Sequence, residues 1–261
     1  VAEFHIRNLS VSFPLYHGES RSLKKTMFAA ASGRLGEDRK HRLVVEALRD
    51  ISLSLGTGDR LGFVGSNGAG KTTLLRTMAG VYEPVAGRID VTGNITALLD
   101  AGQGMNYELT GRENIRLRGL FNGLNETQIN ELQSDVAEFA ELEQFLELPV
   151  RTYSSGMVVR LGFGLATAIK PQILLMDEWI MAGDASFMDK AKQRVETMVR
   201  GAEILVISTH SADVILQWCN RVIWMDHGQI KADGTPEEVL SAYLTPDQLA
   251  LAKKSLIKVA A

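Results

Sequence analysis

The 261-residue sequence predicts an α/β fold, a parallel sheet built on a phosphate-binding loop, with an antiparallel β edge and a helical subdomain. Three observations predict it. Gly65-Ser66-Asn67-Gly68-Ala69-Gly70-Lys71-Thr72-Thr73 lies between an apolar run at 61–64 and a helical run at 73–79, the strand–loop–helix setting of a P-loop. Two short apolar runs, 172–176 (QILLM) and 203–208 (EILVIS), read as strands buried on both faces of a parallel sheet, and the helical pattern at 189–200 between them makes a strand–helix–strand unit. In the middle third, Ile129, Leu132, Val136, Phe139 and Ala140 recur at three- and four-residue spacing, the period of a helix buried on one face.

Composition narrows the function classes. A chain of 261 residues buries a substantial core, as one large domain or as a core with a smaller insert. Its formal charge of −3 gives no support for a dedicated nucleic-acid binder. Cys219 is the only cysteine, which excludes an intrachain disulfide and a cysteine-based zinc cluster and suits a reducing compartment. The run at 161–169, between Arg160 and Lys170, is far short of the roughly 20 apolar residues that span a bilayer. No basic-then-apolar signal pattern opens the sequence. The expectation is a cytosolic chain whose membrane role comes through a partner.

Taken in order, residues 3–13 (EFHIRNLSVSF) alternate apolar and polar side chains, the period of a half-buried strand, expected at a sheet edge. From 14 to 46 the texture changes: Arg21, Lys24, Lys25, Arg34, Arg39, Lys40 and Arg42 fall here with an amphipathic patch at Leu23, Met27 and Phe28, and 17–46 carries a net +3. Such a patch faces lipid phosphates or a membrane partner, or is a solvated charged face. Strand alternation resumes at 47–55, and Gly56-Thr57-Gly58-Asp59 turns the chain into the P-loop strand. Gly80 stops the P-loop helix, and Pro84 and Gly87 punctuate the loop after it. Residues 88–100 read as two short strands about Thr92-Gly93-Asn94. Helices are expected over 110–120, 126–148 and 156–169, the last ended by Lys170-Pro171. Residues 222–226 and 229–231 flank His227-Gly228 as a hairpin. Thr235-Pro236-Glu237-Glu238 starts a helix with a capping box and an early proline, and Thr245-Pro246-Asp247-Gln248 repeats that start.

Three further stretches complete the chemistry begun by the P-loop. A triphosphate needs many donors at close range. Glycines let backbone N–H groups turn inward, and the following helix offers its positive end. The spacing puts Lys71 at the β- and γ-phosphates and the Thr72 hydroxyl on Mg²⁺; a glycine-rich turn that binds nothing is the alternative. Asp177-Glu178 closes a buried strand, where Asp177 would hold Mg²⁺ through its water shell and Glu178 would polarise the attacking water. An acidic pair at a strand end is otherwise merely solvated. Tyr153-Ser154-Ser155-Gly156-Met157 precedes a helix as the P-loop does; by residue type it is an N-cap. Asp177 stands 21 residues beyond Gly156, room for one helix, a turn and one strand, which favours a second anion site. Ser208-Thr209-His210 closes the next strand, where an imidazole can donate to a γ-phosphate, although a lone histidine there is commonly structural.

In that order, these motifs make residues 2–244 resemble the nucleotide-binding subunit of an ABC transporter. The resemblance implies a RecA-like core that hydrolyses ATP with Mg²⁺. It also implies that two copies pair head to tail, each ATP held between residues 65–73 of one and the signature Ser154, Ser155, Gly156 and Met157 of the other. Glu178 matches the family's catalytic glutamate, His210 its switch histidine and Asp184 the aspartate of the loop that touches the opposite subunit. Phe13, with Tyr16 as the nearby alternative, matches the aromatic that stacks on adenine.

The departures point to a branch. The usual signature is Leu-Ser-Gly-Gly-Gln, and this one ends Ser-Gly-Met. Gln103 lies closer to Leu109-Thr110-Gly111-Arg112-Glu113-Asn114 than the common spacing allows, so Gln103 or Asp100 fills the glutamine-loop role at the metal. With the insert after Phe13 and the run DEWIMAGD at 177–184, these features are similar to the ATPases that export bacterial surface polysaccharides such as lipid-linked O antigen, capsule or teichoic acid. The resemblance implies a homodimer beneath a polytopic permease, at the cytoplasmic face of the inner membrane, with lipid-linked polysaccharide as an indirect partner and no nucleic acid. An importer subunit or a permease-free ABC ATPase is the rival. One ABC ATPase domain is expected over 1–261: a nucleotide-binding core at 1–100 and 170–235, a basic insert at 17–46, a helical and signature subdomain at 101–169, and a helical tail at 236–261. Some O-antigen exporters append a sugar-binding domain; with the chain ending shortly after Thr245, that domain is expected to be absent. The region 100–107 and the helical insert are expected to receive the permease's coupling helix.

Overall fold

The computed structural model describes residues 1–15, 35–37, 43–99, 104–178 and 185–259. They divide into two compact units, Val1–Ile95 with Leu175–Glu178 and Glu203–Ala261, and Thr96–Leu174 with Trp179–Ala202.

The first unit begins with β1 (Glu3–Pro14), β2 (Leu35–Glu37) and β3 (Leu43–Gly56), continues through β4 (Arg60–Val64), and reaches β5 (Ala86–Thr92) after the P-loop helix α1 (Lys71–Met78). Strands β2-β3-β1-β5 form an antiparallel sheet in that order. The expected edge position of the first strand is therefore corrected: β1 is interior, with Glu3 opposite Gly56 on one side and Thr92 on the other. Alternation reports that one face is covered, and an interior strand of such a sheet has the same period as an edge strand. A register shift between Ile6 and Leu9 lets Phe4, Ile6, Leu9 and Val11 all stay buried although the spacing slips by one; Asn8 there is left-handed (φ 49°). Strand β3 begins at Leu43, ahead of the expected 47, and β2 falls within the 17–46 insert. The insert's basic side chains and its amphipathic patch lie outside the described residues.

The second sheet has the order β10-β9-β4-β8-β7-β6, with β6 at Ile95–Leu98, β7 at Ile173–Asp177, β8 at Ile204–Ser208, β9 at Arg221–Asp226 and β10 at Gln229–Gly234. Strand β4 pairs in parallel with both β8 and β9, and β10 turns back antiparallel on β9. The continuous apolar runs are explained: every residue of β8 is buried, as are the first four of β7. The two short strands expected over 88–100 exist as β5 and β6, but they belong to different sheets. At the end of α1, Gly80 donates to the Thr77 carbonyl (3.0 Å) and Val81 to that of Arg76 (2.8 Å), the stop expected there.

The second unit is helical, with α2 (Gly111–Phe121), α3 (Glu126–Ala140), α4 (Ser155–Thr167) and α5 (Ala185–Gly201). Reciprocal caps start two of these: Thr110 accepts from the Glu113 N–H and Glu113 from that of Thr110, and Asn125 and Gln128 do the same. The helix expected over 126–148 ends at Ala140, because Glu141 is left-handed (φ 56°). Leu142 and Leu146 beyond it stay buried with Ile115, Val136 and Leu161, so the apolar spacing persists after the helix has stopped. Helix α5 is held by Glu141, which accepts from Arg160 of α4 (2.9 Å) and from Lys190, and by Asp135, which pairs with Arg194. Phe139, Phe163 and Phe187 pack between them.

The chain then returns to the first unit with α6 (Ala212–Trp218), α7 (Pro236–Tyr243) and α8 (Pro246–Val259). Seven-residue α6 is too short to show a period and was not foreseeable from spacing. Helix α7 carries the expected Thr235–Glu238 capping box, and Thr245 and Gln248 repeat it at α8. Among the described residues, no helix is long and apolar enough to cross a membrane.

Candidate functional site

Strand β4 delivers the chain to Gly65, whose left-handed φ of 147° and tight seat admit only glycine: a Cβ there would stand 2.3 Å from the Met225 carbonyl oxygen. Ser66, Asn67 and Gly68 are exposed, Ala69 is buried, and Gly70 is the N-cap of α1. The loop therefore presents backbone N–H groups and the positive end of a helix to one place, the requirement for an anion site. Lys71 is 7% exposed, and its Nζ donates to the carbonyls of Gly65 (2.6 Å) and Ser66 (3.2 Å). Burial pulls its pKa down, and the carboxylates of Asp177 and Glu178 act against that shift. Thr72, next to it, exposes its side chain, and Thr73 is half-buried.

Asp177 ends β7 half-buried, and Glu178 follows it into solvent. Glu178 is left-handed (φ 56°), and its N–H donates to the Ser208 carbonyl (2.7 Å). A glutamate in that conformation costs about 1–2 kcal/mol, and here the neighbouring strand end fixes it. His210, two residues beyond β8, brings Nε2 to 3.4 Å from Glu178 Oε1. Lys71, Asp177, Glu178 and His210 are thus brought together in the first unit, at the C-terminal ends of adjacent strands. Thr72 and Asp177 supply two hard oxygens, and no group of three or more His, Cys, Asp or Glu stands ready for a metal among the described residues. That donor set suits Mg²⁺, which keeps water and phosphate oxygens for its other positions.

Ser154 is the N-cap of α4, accepting weakly from the Met157 N–H (3.3 Å). The helix begins at Ser155, one residue before the expected start, and Ser154, Ser155 and Gly156 are exposed while Met157 is half-buried. These four residues belong to the second unit. Phe13, near the end of β1, packs edge-on against Tyr82, with ring centroids 5.1 Å apart. Asp184, Gln103, Asp100 and Tyr16 lie outside the described residues.

Two participants escaped sequence reasoning. Tyr82 had no motif to mark it; its hydroxyl accepts from Arg76 (3.1 Å). Gly228 was visible only as a hairpin turn, yet its N–H donates to the Ala69 carbonyl (2.8 Å), joining the β9–β10 turn to the phosphate loop.

Fold and site together define a P-loop nucleotide-binding cassette. The family model described as ABC transporter matches residues 48–181. The chain is 42% identical over 225 residues to the O-antigen export system ATP-binding protein RfbE of Yersinia enterocolitica, covering 86% of this chain and 94% of that one. It is 34% identical over 238 residues to the O-antigen export system ATP-binding protein RfbB of Myxococcus xanthus, covering 91% and 54%. With the teichoic acids export ATP-binding protein TagH of Lactococcus lactis subsp. lactis it shares 40% identity over 214 residues, covering 82% and 46%. The chain thus spans about half the length of these last two relatives. Among solved structures, an ATP-binding subunit of an ABC transporter superposes with a TM-score of 0.67 at 21% identity, covering 97% of this chain and 99% of that one; it shares the fold. The chain belongs to the ABC transporter family and is an ATP-binding, ATP-hydrolysing cassette of it.

Proposed function

We propose that this chain powers export of a lipid-linked bacterial surface polysaccharide, O antigen foremost, as a homodimer docked beneath a polytopic permease at the cytoplasmic face of the inner membrane. The O-antigen export protein of Yersinia enterocolitica, at 42% identity, supports the substrate class. Teichoic-acid export is the second reading, supported by the Lactococcus relative at 40%. The observation that carries the hydrolytic mechanism is the Glu178–His210 contact of 3.4 Å in the unit that holds Lys71.

In this reading the loop 65–73 binds the triphosphate, Lys71 neutralises its β- and γ-groups, and Phe13 stacks on the adenine. Thr72 and Asp177 would hold Mg²⁺, which when bound neutralises charge on the phosphate oxygens. Glu178 orients and polarises the attacking water, and His210 reads the γ-phosphate and steadies Glu178. Ser154, Ser155, Gly156 and the N-terminus of α4 serve the nucleotide of the second copy, so that ATP joins two copies and hydrolysis frees them. Asp184 faces the opposite copy, and Gln103 or Asp100 reports the metal site to the permease. The α/β core at 1–100 and 170–235 is the engine, and the helical subdomain at 101–169 is the lever.

Glu178→Gln tests the mechanism. The variant is expected to bind ATP and to elute as a dimer with Mg-ATP, with turnover about 10²-fold or more below the parent. Monomers at saturating Mg-ATP would overturn the two-copy site. In cells the same variant is expected to trap lipid-linked glycan inside, and the sugar composition of that glycan separates O antigen from teichoic acid.

A further inference from the structure

Phe13 and Tyr82 meet from places far apart in the chain, and what holds Tyr82 is the helix that begins at the phosphate loop. Phe13 stands near the end of β1, opposite Val45 of β3, and Tyr82 lies in the turn between α1 and β5. Both side chains are half-buried, with 5.1 Å between ring centroids and 77° between ring planes. The turn is pinned at both ends. Val81 donates to the Arg76 carbonyl (2.8 Å), and Val85 donates to the Ser10 carbonyl of β1 (2.8 Å). Between these pins the Arg76 guanidinium donates to the Tyr82 hydroxyl (3.1 Å), so Arg76 holds the turn by backbone and side chain together.

A phenylalanine near a strand end turns about its side-chain bonds, and a ligand that stacks on it bears the cost of ordering that ring. An edge-on neighbour removes the freedom in advance. It uses at most one face of the Phe13 ring, which leaves a face for a planar ligand. Helix α1 carries Lys71 at its first position and Arg76 in its last turn, about 7.5 Å further along the axis. One rigid helix therefore bears the phosphate cation at one end and, through Arg76 and Tyr82, steadies the aromatic platform from the other.

We propose that Tyr82 is a positioning residue for the nucleotide base: tethered by Arg76, it fixes the Phe13 ring relative to the phosphate loop, so that affinity for an adenine nucleotide depends on it and affinity for bare phosphate does not. The inference rests on the reading that Phe13 stacks on adenine and adds the residues that orient it.

The test measures the Kd of the chain for Mg-ADP and for magnesium pyrophosphate by titration calorimetry. ADP keeps the base and is not turned over. Tyr82→Leu, which keeps apolar bulk in the turn, is expected to weaken ADP binding about 3- to 10-fold, the worth of one aromatic pair, and to leave pyrophosphate unchanged. Tyr82→Phe keeps the ring against Phe13 and drops the tether, and its ADP affinity is expected to fall between those of the parent and Tyr82→Leu. Phe13→Leu is expected to weaken ADP about 10-fold. Adding Tyr82→Leu to it should cost nothing more, because both act through one ring. Parent-like ADP affinity in Tyr82→Leu, with a loss in Phe13→Leu, would overturn the inference and leave the stacking reading standing. Equal loss of both ligands in Tyr82→Leu would make Tyr82 a support of the phosphate loop and overturn it too, as would additive losses in the double variant. Unchanged ADP affinity in Phe13→Leu would remove the stacking reading and this inference with it.

Discussion

Gly228 is held from three sides. Its N–H donates to Ala69 of the phosphate loop, its carbonyl accepts from the Arg49 N–H (2.9 Å), and a Cβ on it would stand 2.4 Å from the Ala47 carbonyl oxygen. With φ at 76°, Gly228→Ala adds backbone strain to that clash. The variant is expected to lose about 1–3 kcal/mol of stability, within the range for overpacking. Because the displaced turn carries the donor to Ala69, ATP affinity should fall as well. An unchanged urea midpoint, with unchanged ATP binding, would reject this brace. The residues at the reacting centre were legible in the sequence because each ends an apolar run or opens a helix: Lys71, Asp177, Glu178 and His210 occupy such punctuation points. Gly228 and Tyr82 were not, since what gives them meaning is contact with residues far away in the chain. The left-handed backbone of Glu178 was equally silent, because it is set by the Ser208 carbonyl on a neighbouring strand.

At the scale of the element, the caps were the most legible feature, because a capping box is chemistry within four consecutive residues. In two of them the carboxylate's pKa is pulled below the ordinary value of 4.5, first by the backbone N–H and then by the side chain of the capping threonine, Thr110 for Glu113 and Thr235 for Glu238. A depressed carboxylate contributes stability above its unfolded pKa, and that contribution is lost as the pH falls through the folded value. Thr235→Ala is therefore expected to lower stability at pH 7, because it removes the hydroxyl that accepts from the Glu238 N–H and donates to its carboxylate. It should also flatten the acid limb of the stability curve below about pH 4.5 in part, since the hydroxyl's share of the depression goes while the backbone N–H of residue 235 still donates to Glu238, as measured by urea unfolding at stepped pH. A mutant curve parallel to the parent down to pH 3 would count against the cap. Strand position and helix length were less legible. The alternation of β1 shows a covered face but not the two neighbours that make it interior. The apolar spacing past Ala140 continues through turns because Leu142 and Leu146 fill the same core as the helix before them.

At the scale of the whole molecule, the lone cysteine offers a reporter. Cys219 precedes β9 in the unit that carries the phosphate loop, and desolvation pushes its thiol up to about 12 from an ordinary 9.0. A raised thiol pKa contributes stability that is full below about pH 9 and is lost as the pH rises through 9 toward 12, since the unfolded chain ionises first. At pH 8 the folded chain should therefore resist iodoacetamide, with labelling limited by opening of the unit. For a stability of about 5 kcal/mol or more, that is at least about 10³-fold slower than for the unfolded chain. ATP binds the folded unit alone, so by mass action it should slow the labelling further. At a concentration 100 times its Kd the added protection is about 100-fold. Glu178→Gln with Mg-ATP is the form to use, because turnover would otherwise consume the ligand during the assay. If ATP leaves the labelling rate unchanged, Cys219 is being reached by local fraying of α6 and the start of β9, without opening of the unit that binds the nucleotide.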